Sequence, residues 1–408
     1  MEFDTSARVN DFAGQLNRFM DEVIYPAEPT FEQQEADPSL PYPPIMEQLK
    51  AEARQRGLWN LWFADPTYGP GLSTLEYAPL AEIMGRSLIA PEACNASAPD
   101  TGNMEILHMF GSAEQKDQWL LPLLDGTIRS AFVMTERWIS SSDAANVSMR
   151  AVEKGGDLVL NGDKWWITGV VNPACRVLIV MARTSDDGPS HRRFSHLLVP
   201  IDTPGVEIVR PLNAFGYFDA QGHCEVRFTD VSVPRSNVLG EMGDGFKIAQ
   251  ARLGPGRIHH CMRSVGAAER GLELLCKRAL ERSTFGYRLA ERSNLQDWIA
   301  EARLEIEMLR LLTLKTAWLI DTVGAKAAQA EISAIKVAAP TIAGKIIDRA
   351  IQVHGAGGLC DDFPLARLFV HQRMLRFADG PDEVHKMVLA RTELRRYEPE
   401  FRVRAPAS

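Results

Sequence analysis

A membrane span is the first thing this 408-residue sequence lacks: no apolar run reaches the roughly 18 residues that a hydrocarbon-crossing helix needs. Cysteine is scarce as well. Cys94, Cys175, Cys224, Cys261, Cys276 and Cys360 form no C-x-x-C pair, and no His/Cys cluster has the spacing of a zinc site. That argues against a disulfide-stapled scaffold, gives no metal site to assign, and favours a reducing compartment. Basic clusters are missing too. The net charge of -8 is mild and spread along the chain, which leaves no electrostatic footprint for nucleic acid. The start, Met1-Glu2-Phe3-Asp4, is acidic where a signal or transit peptide would be basic. The expectation is a soluble intracellular protein, cytoplasmic, or of the mitochondrial matrix if the source is eukaryotic.

What the sequence does contain is ordinary for a globular chain, with 45% hydrophobic and 24% charged residues. Its length suits two or three packed units. The first third reads as helix. Val9, Phe12, Leu16, Phe19 and Val23 recur at steps of three and four and share one face. Ser6 stands where a cap belongs and Pro26 where a stop belongs. Helical patterns continue over 45–56, 75–86 and 113–124, and Gly126 closes the run. The period then changes. Gly155-Gly156 is a turn before the strand-like Asp157-Leu158-Val159-Leu160, and short apolar runs follow at 177–181, 196–199, 206–209 and 224–228. Strands this close, with no helices between them, argue for a small antiparallel barrel or sandwich.

The last third is helical again. Ile258, Cys261, Met262, Val265, Leu272, Leu275, Cys276 and Ala279 fit one long helix face, and further helices span 295–323, 327–353 and 381–396. Four helices with short connections suggest an antiparallel bundle. The expected fold is mostly α with a central β domain: an N-terminal helical domain (1–129), a small antiparallel β-barrel (130–241) and a C-terminal four-helix bundle (242–408).

Two segments carry chemistry. Phe132-Val133-Met134-Thr135-Glu136-Arg137-Trp138-Ile139-Ser140-Ser141-Ser142-Asp143 lies where helix gives way to strand, and its hydroxyls and backbone N–H groups suit a phosphate or a flavin edge. Alone, it is equally a polar loop. Asn161-Gly162-Asp163-Lys164-Trp165-Trp166-Ile167-Thr168 sets a Trp beside a hydroxyl, the flat wall and donor that an isoalloxazine ring requires. Alone, a strand aromatic is as often core. Gly254-Pro255-Gly256 is no dinucleotide fingerprint, because no parallel strand precedes it. The adjacent His259-His260 point to different sides of a helix and form no metal pair.

Both segments, in this order and between two helical domains, resemble the acyl-CoA dehydrogenase family. The likeness extends through Val231-Ser232-Val233-Pro234, Asn237-Val238-Leu239-Gly240 and Gly245-Phe246-Lys247. It continues through Glu281-Arg282-Ser283-Thr284-Phe285-Gly286 and Ile351-Gln352-Val353-His354-Gly355-Ala356-Gly357-Gly358. Gly254-Pro255-Gly256-Arg257-Ile258-His259-His260 and Asp379-Gly380-Pro381-Asp382-Glu383-Val384-His385 resemble the dehydrogenase portion of a branch that includes fusions to a kinase-like domain.

The resemblance implies FAD-dependent α,β-dehydrogenation of an acyl-CoA thioester, as in fatty-acid β-oxidation. A carboxylate takes the α proton while hydride leaves the β carbon for flavin N5. The matching base is Asp379; the other place the family uses for a Glu is Gly256 here. Asp is one methylene shorter than Glu, so its reach has to be restored by the backbone or by substrate depth. Burial is expected to raise its pKa, and capping of the helix that follows is its plain structural alternative. By the same resemblance, Met134, Thr135 and Ser142 meet the flavin and its phosphates, with Trp166 and Thr168 against the ring. Arg282, Phe285, Gln352 and Gly355 reach the FAD of a neighbouring subunit, which implies a homodimer or homotetramer. Arg257, Ala378 and Gly380 meet substrate, and an electron-transferring flavoprotein takes the electrons. Asp382 and Glu383 are expected to be solvated or capping.

The sequence also departs from the pattern. Arg137-Trp138-Ile139 replaces a common Pro-Gly-Ala-Gly, and Ala378 stands where many relatives carry a bulkier residue, which points to a branched or bulky acyl group. A nitroalkane-oxidase-like flavin oxidase and a non-catalytic flavin- or acyl-CoA-binding homologue are the competing readings.

Overall fold

The computed structural model describes residues 5–217 and 222–402; the acidic tetrapeptide 1–4 lies outside the described residues. Its longer helices are α1 (Ala7–Phe19), α2 (Tyr25–Glu35), α3 (Ile45–Gln55), α4 (Thr74–Met84), α5 (Asp100–Phe110), α6 (Gly245–Glu281), α7 (Ser293–Val323), α8 (Gln329–His354), α9 (Leu365–Leu375) and α10 (Asp382–Leu394). The central strands are β1 (Arg129–Val133), β2 (Arg150–Lys154), β3 (Asp157–Thr168), β4 (Cys175–Arg183), β5 (Phe194–Pro200), β6 (Val206–Leu212), β7 (His223–Pro234) and β8 (Val238–Leu239). The chain folds as two compact units, a helical one from residues 1–20, 72–90 and 257–408 and a sheet-bearing one from 21–71 and 91–256.

In the helical unit, Ser6 caps α1 by accepting from the Val9 backbone N–H at 3.3 Å, as its position predicts. Pro26, which belongs to the sheet-bearing unit, does not stop the chain. A wide turn, Met20–Ile24, leads straight into α2, where Pro26 occupies the first turn and its missing N–H costs nothing. A reciprocal Ser73–Glu76 box starts α4, and the Asp321 carboxylate of α7 accepts from the Thr74 and Leu75 N–H groups at 2.9 and 2.8 Å. The C-terminal portion holds five helices among the described residues rather than four. The additional one, α9, is short and follows Pro364, so its apolar face reads as loop in the sequence. Its Leu365 and Leu368 nevertheless pack with Leu275, Ala279, Ile347 and Ala350 in the unit's core.

In the sheet unit, Gly155 and Gly156 adopt φ of 65° and 94°, the paired positive values of a tight hairpin turn, and set β2 against β3. The strand path runs β6-β7-β3-β2-β4-β5-β8, with β1 beside β4. Its ends do not pair with each other, so the expected barrel is an open sheet. It is also mixed, since β1 runs parallel to β4 from Ser130↔Val177 to Val133↔Val180. The β4 run from Val177 to Met181 is buried on both faces, the pattern of a strand with neighbours on every side. Alternate residues Leu158, Leu160, Leu178, Val180, Leu197, Val199, Val226 and Phe228 form the core beneath it. All six cysteines are free.

Candidate active site

The sheet unit, taken by itself, carries a polar loop fastened to an aromatic strand. Lys164 is fully buried in β3, and its ammonium donates to Met134 O at 2.9 Å, Glu136 Oε1 at 2.9 Å and Met181 O at 2.8 Å. Three donors, three acceptors: the group is satisfied. Burial pushes the Lys164 pKa down to about 8 against the pull of Glu136. Burial works to raise the Glu136 carboxyl, but the Lys164 charge and bonds from Ser148 and Met149 outweigh it and hold that carboxyl below its ordinary range. A charged pair at neutral pH therefore pins the loop after β1. Thr135 adds a second tie, since its carbonyl accepts from Trp165 N at 2.8 Å and its hydroxyl donates back to Trp165 O. Met134 is half-buried; Thr135 and Ser142 are exposed, and the Ser142 hydroxyl lies 3.1 Å from that of Ser140.

The ladder of β3 with β7 breaks between Lys164 and Ile167, and Trp166 takes a left-handed φ of 56° there. The bulge re-aims the side chains, so that Lys164 and Ile167 are buried while Trp166 faces outward, 39% exposed. Its ring packs 5.2 Å from His223, and His223 Nδ1 lies 3.0 Å from Thr168 Oγ1. Trp166 and Thr168 thus both meet His223, a residue that the sequence reading did not single out. Arg137 stacks over Trp138 at 4.5 Å and reaches Trp165 at 5.7 Å, while Trp138 itself is 80% exposed. Trp165 Nε1 is buried with no hydrogen-bond partner among the described residues.

The helical unit, taken by itself, holds a nearly buried acid. Asp379 lies in the turn between α9 and α10 at a φ of 55°, followed by Gly380 at 104°. Only Gly fits at 380, where a Cβ would come 3.1 Å from His385 Nε2. The Asp379 carbonyl accepts from Arg257 Nε at 3.0 Å and faces His385 Nε2 at 3.3 Å. The Asp379 side chain is 10% exposed, with Oδ2 3.5 Å from His260 Nε2. The residue at the boundary of α10 is Pro381, which makes no side-chain cap bond. Asp382 corrects a second expectation. It is buried and ion-paired with Arg376 at 2.7 Å, whereas Glu383 is exposed. Ala378 is exposed beside the acid.

Arg282 and Gly355 also meet. Arg282 Nη1 donates to His354 O at 3.2 Å, and a Cβ on Gly355 (φ 69°) would stand 3.2 Å from the same nitrogen. Phe285, 94% exposed, occupies the tip of a small hairpin, and Gln352 is exposed on the last turn of α8. Sequence reasoning missed His260, His385 and Lys336 around the acid. One signal was readable: Arg257, His260 and Arg263 recur every three residues along one helix. Among the described residues there is no metal-ligand cluster, and no helix is long and apolar enough to cross a membrane.

Three family models match in succession: the acyl-CoA dehydrogenase N-terminal domain over 7–127, the middle domain over 131–231 and the C-terminal domain over 243–394. The chain belongs to the acyl-CoA dehydrogenase family. It is an oxidoreductase of that family. "Probable acyl-CoA dehydrogenase FadE2" of Mycobacterium tuberculosis is 53% identical over 405 residues, covering 98% of this chain and 99% of that one. The solved structure of a "putative acyl-CoA dehydrogenase" from Mycobacterium abscessus superposes with a TM-score of 0.94 at 48% identity, covering 97% of this chain and 100% of that one. "Acyl-CoA dehydrogenase family member 10" of Mus musculus is 48% identical, the match covering 98% of this chain but 38% of that longer protein.

Proposed function

We propose that this family member removes hydrogen across the α,β bond of an acyl-CoA thioester, with Asp379 as the base that takes the α proton. The cofactor is FAD, which supplies the hydride acceptor when bound. The donor set suits it: an outward Trp166 ring beside the Thr168 hydroxyl, and the exposed hydroxyls of Thr135 and Ser142 on a loop that Lys164 holds in place. Met134 completes that wall. The single observation that carries the reading is the state of Asp379, a nearly buried carboxyl on a left-handed residue whose backbone Arg257 clamps at 3.0 Å. Strain of this kind at a non-glycine residue concentrates at functional sites.

Each residue has a definite task in this reading. Asp379 accepts the proton at a carboxylate oxygen; Arg257 and Gly380 hold the turn that makes up for its missing methylene. The exposed methyl of Ala378 leaves room for a branched or bulky acyl group. Arg282, Phe285, Gln352 and Gly355 serve the FAD of a neighbouring subunit, so the working form is a homodimer or homotetramer. The 94% exposure of Phe285 is in keeping with a side chain that awaits a second copy. Segments 1–129, 130–241 and 242–408 act as the functional domains, and an electron-transferring flavoprotein in a β-oxidation step is the proposed acceptor.

Anaerobic bleaching of the flavin by butyryl-, octanoyl- and palmitoyl-CoA tests this directly. Asp379→Asn is expected to retain the yellow flavin and to bleach about 10²–10⁴-fold more slowly, since an amide accepts no proton. Bleaching at the wild-type rate in that variant removes Asp379 from the role.

A further inference from the structure

The company of the acid carries one step more, and it rests on the reading of Asp379 as the base. His260 lies on α6 one turn past Arg257, with its Nε2 3.5 Å from Asp379 Oδ2. Its other ring nitrogen, Nδ1, lies 3.1 Å from Arg263 Nη2. A guanidinium has donors only. Nδ1 must therefore be the acceptor, and the ring hydrogen must sit on Nε2, facing the carboxylate. We propose that His260 is a positioning residue for Asp379, locked by Arg263 in the Nε2–H tautomer so that it holds the shorter carboxyl in one rotamer and steadies its ionised form.

The surroundings support a neutral donor rather than an ion pair. Burial holds the His260 pKa well below its ordinary value, with Arg263 adding to it and Asp379 opposing. Other ionisable groups share the site. Arg257, Cys261 and Arg263 lie on α6, Lys336 on α8, His371 on α9, and Asp382 and His385 on α10. Burial also lowers the Lys336 pKa, and its ammonium donates to Leu375 O. His385 donates to the backbone carbonyl of Asp379 at 3.3 Å. His260 Nε2 stands 3.5 Å from Oδ2, within ion-pair reach and longer than a well-formed hydrogen bond. A contact of that length in the free protein is expected to shorten in the substrate complex.

The test uses holoenzyme and the pH dependence of flavin bleaching by octanoyl-CoA, or by whichever of the three thioesters above bleaches fastest. His260→Phe keeps the bulk and removes the donor. Its acid limb in kcat/KM is expected to move to higher pH by about one unit, a tenfold loss on the acid side, with KM nearly unchanged. His260→Gln restores an amide donor at similar reach and is expected to bring most of that shift back. Independently of turnover and of folding of the variants, ¹⁵N-histidine NMR of the wild-type protein is expected to show a neutral His260 with its hydrogen on Nε2. An unmoved acid limb in His260→Phe, a Gln variant no better than Phe, or a hydrogen on Nδ1 each overturns the proposal. Failure of wild-type enzyme to bleach with any thioester overturns the dehydrogenase reading instead, so the two failures are distinguishable.

Discussion

At the scale of single residues, Lys164 shows how a charge can be structural inside a catalytic unit. Its ammonium is fully buried and spends its three donors on Met134, Glu136 and Met181. Removing the cation leaves the buried Glu136 without its counter-charge, held only by Ser148 and Met149, which is far costlier than the pair itself is stabilising. Lys164→Met is therefore expected to lower unfolding stability by about 3–5 kcal/mol in urea titration. It should also weaken FAD retention, because the loop from Met134 loses its anchor; a change below about 1 kcal/mol would mean the loop is held by other means. Asp379 was singled out through the family resemblance of the segment before the final helix. Its neighbours His260 and Lys336 were not, since they come from helices far apart in sequence, and His385 lies across the turn from it. Asp382 was misread for a related reason: its partner Arg376 sits across a turn, and six residues of separation signal no contact until that turn is folded.

At the scale of elements, glycine and proline positions were legible where they act locally and misleading where they act in context. Gly155-Gly156 gave the hairpin. Pro26 signalled a stop, but the wide turn before it made it the first turn of α2. Helix α9 escaped notice because its eleven residues carry few periodic repeats. Gly355 ends α8 at a φ of 69° with Arg282 close by, so both backbone and neighbour constrain it. Gly355→Ala is expected to cost about 1–2 kcal/mol of stability, chiefly from the positive φ. If Arg282 serves the cofactor, the same variant should release FAD more readily on dilution; unchanged flavin retention would separate Arg282 from that task.

At the scale of the whole molecule, buried histidines set the response to acid. Burial pushes the pKa of His196 and His259 down to about 3 and that of His385 to about 4, and holds His260 well below its usual value. The unfolded chain takes up these protons near pH 6.5, whereas the folded chain resists them. The stability they contribute is thus complete above pH ~6.5 and is lost as pH falls towards those lower values, by up to about 1.4 kcal/mol per pH unit for each histidine. A steep fall in the urea midpoint from pH ~7 to ~5 is expected. Both ring nitrogens of His196 lack a hydrogen-bond partner among the described residues, so His196→Phe should make that fall shallower. An equally steep fall in the variant would assign the acid response to other groups.

The sequence by itself determined the helix–sheet–helix order and the hairpin, and its motifs pointed to the family. Those follow from local periodicity, turn chemistry and motifs read along the chain. Only the tertiary structure decided that β1 runs parallel to β4, that a bulge turns Trp166 outward, and that Arg263 fixes the hydrogen of the histidine beside Asp379. The physical reason is the same in each case. Strand partners, bulges and tautomers depend on groups brought close by packing of distant segments, and a linear pattern holds no record of that proximity.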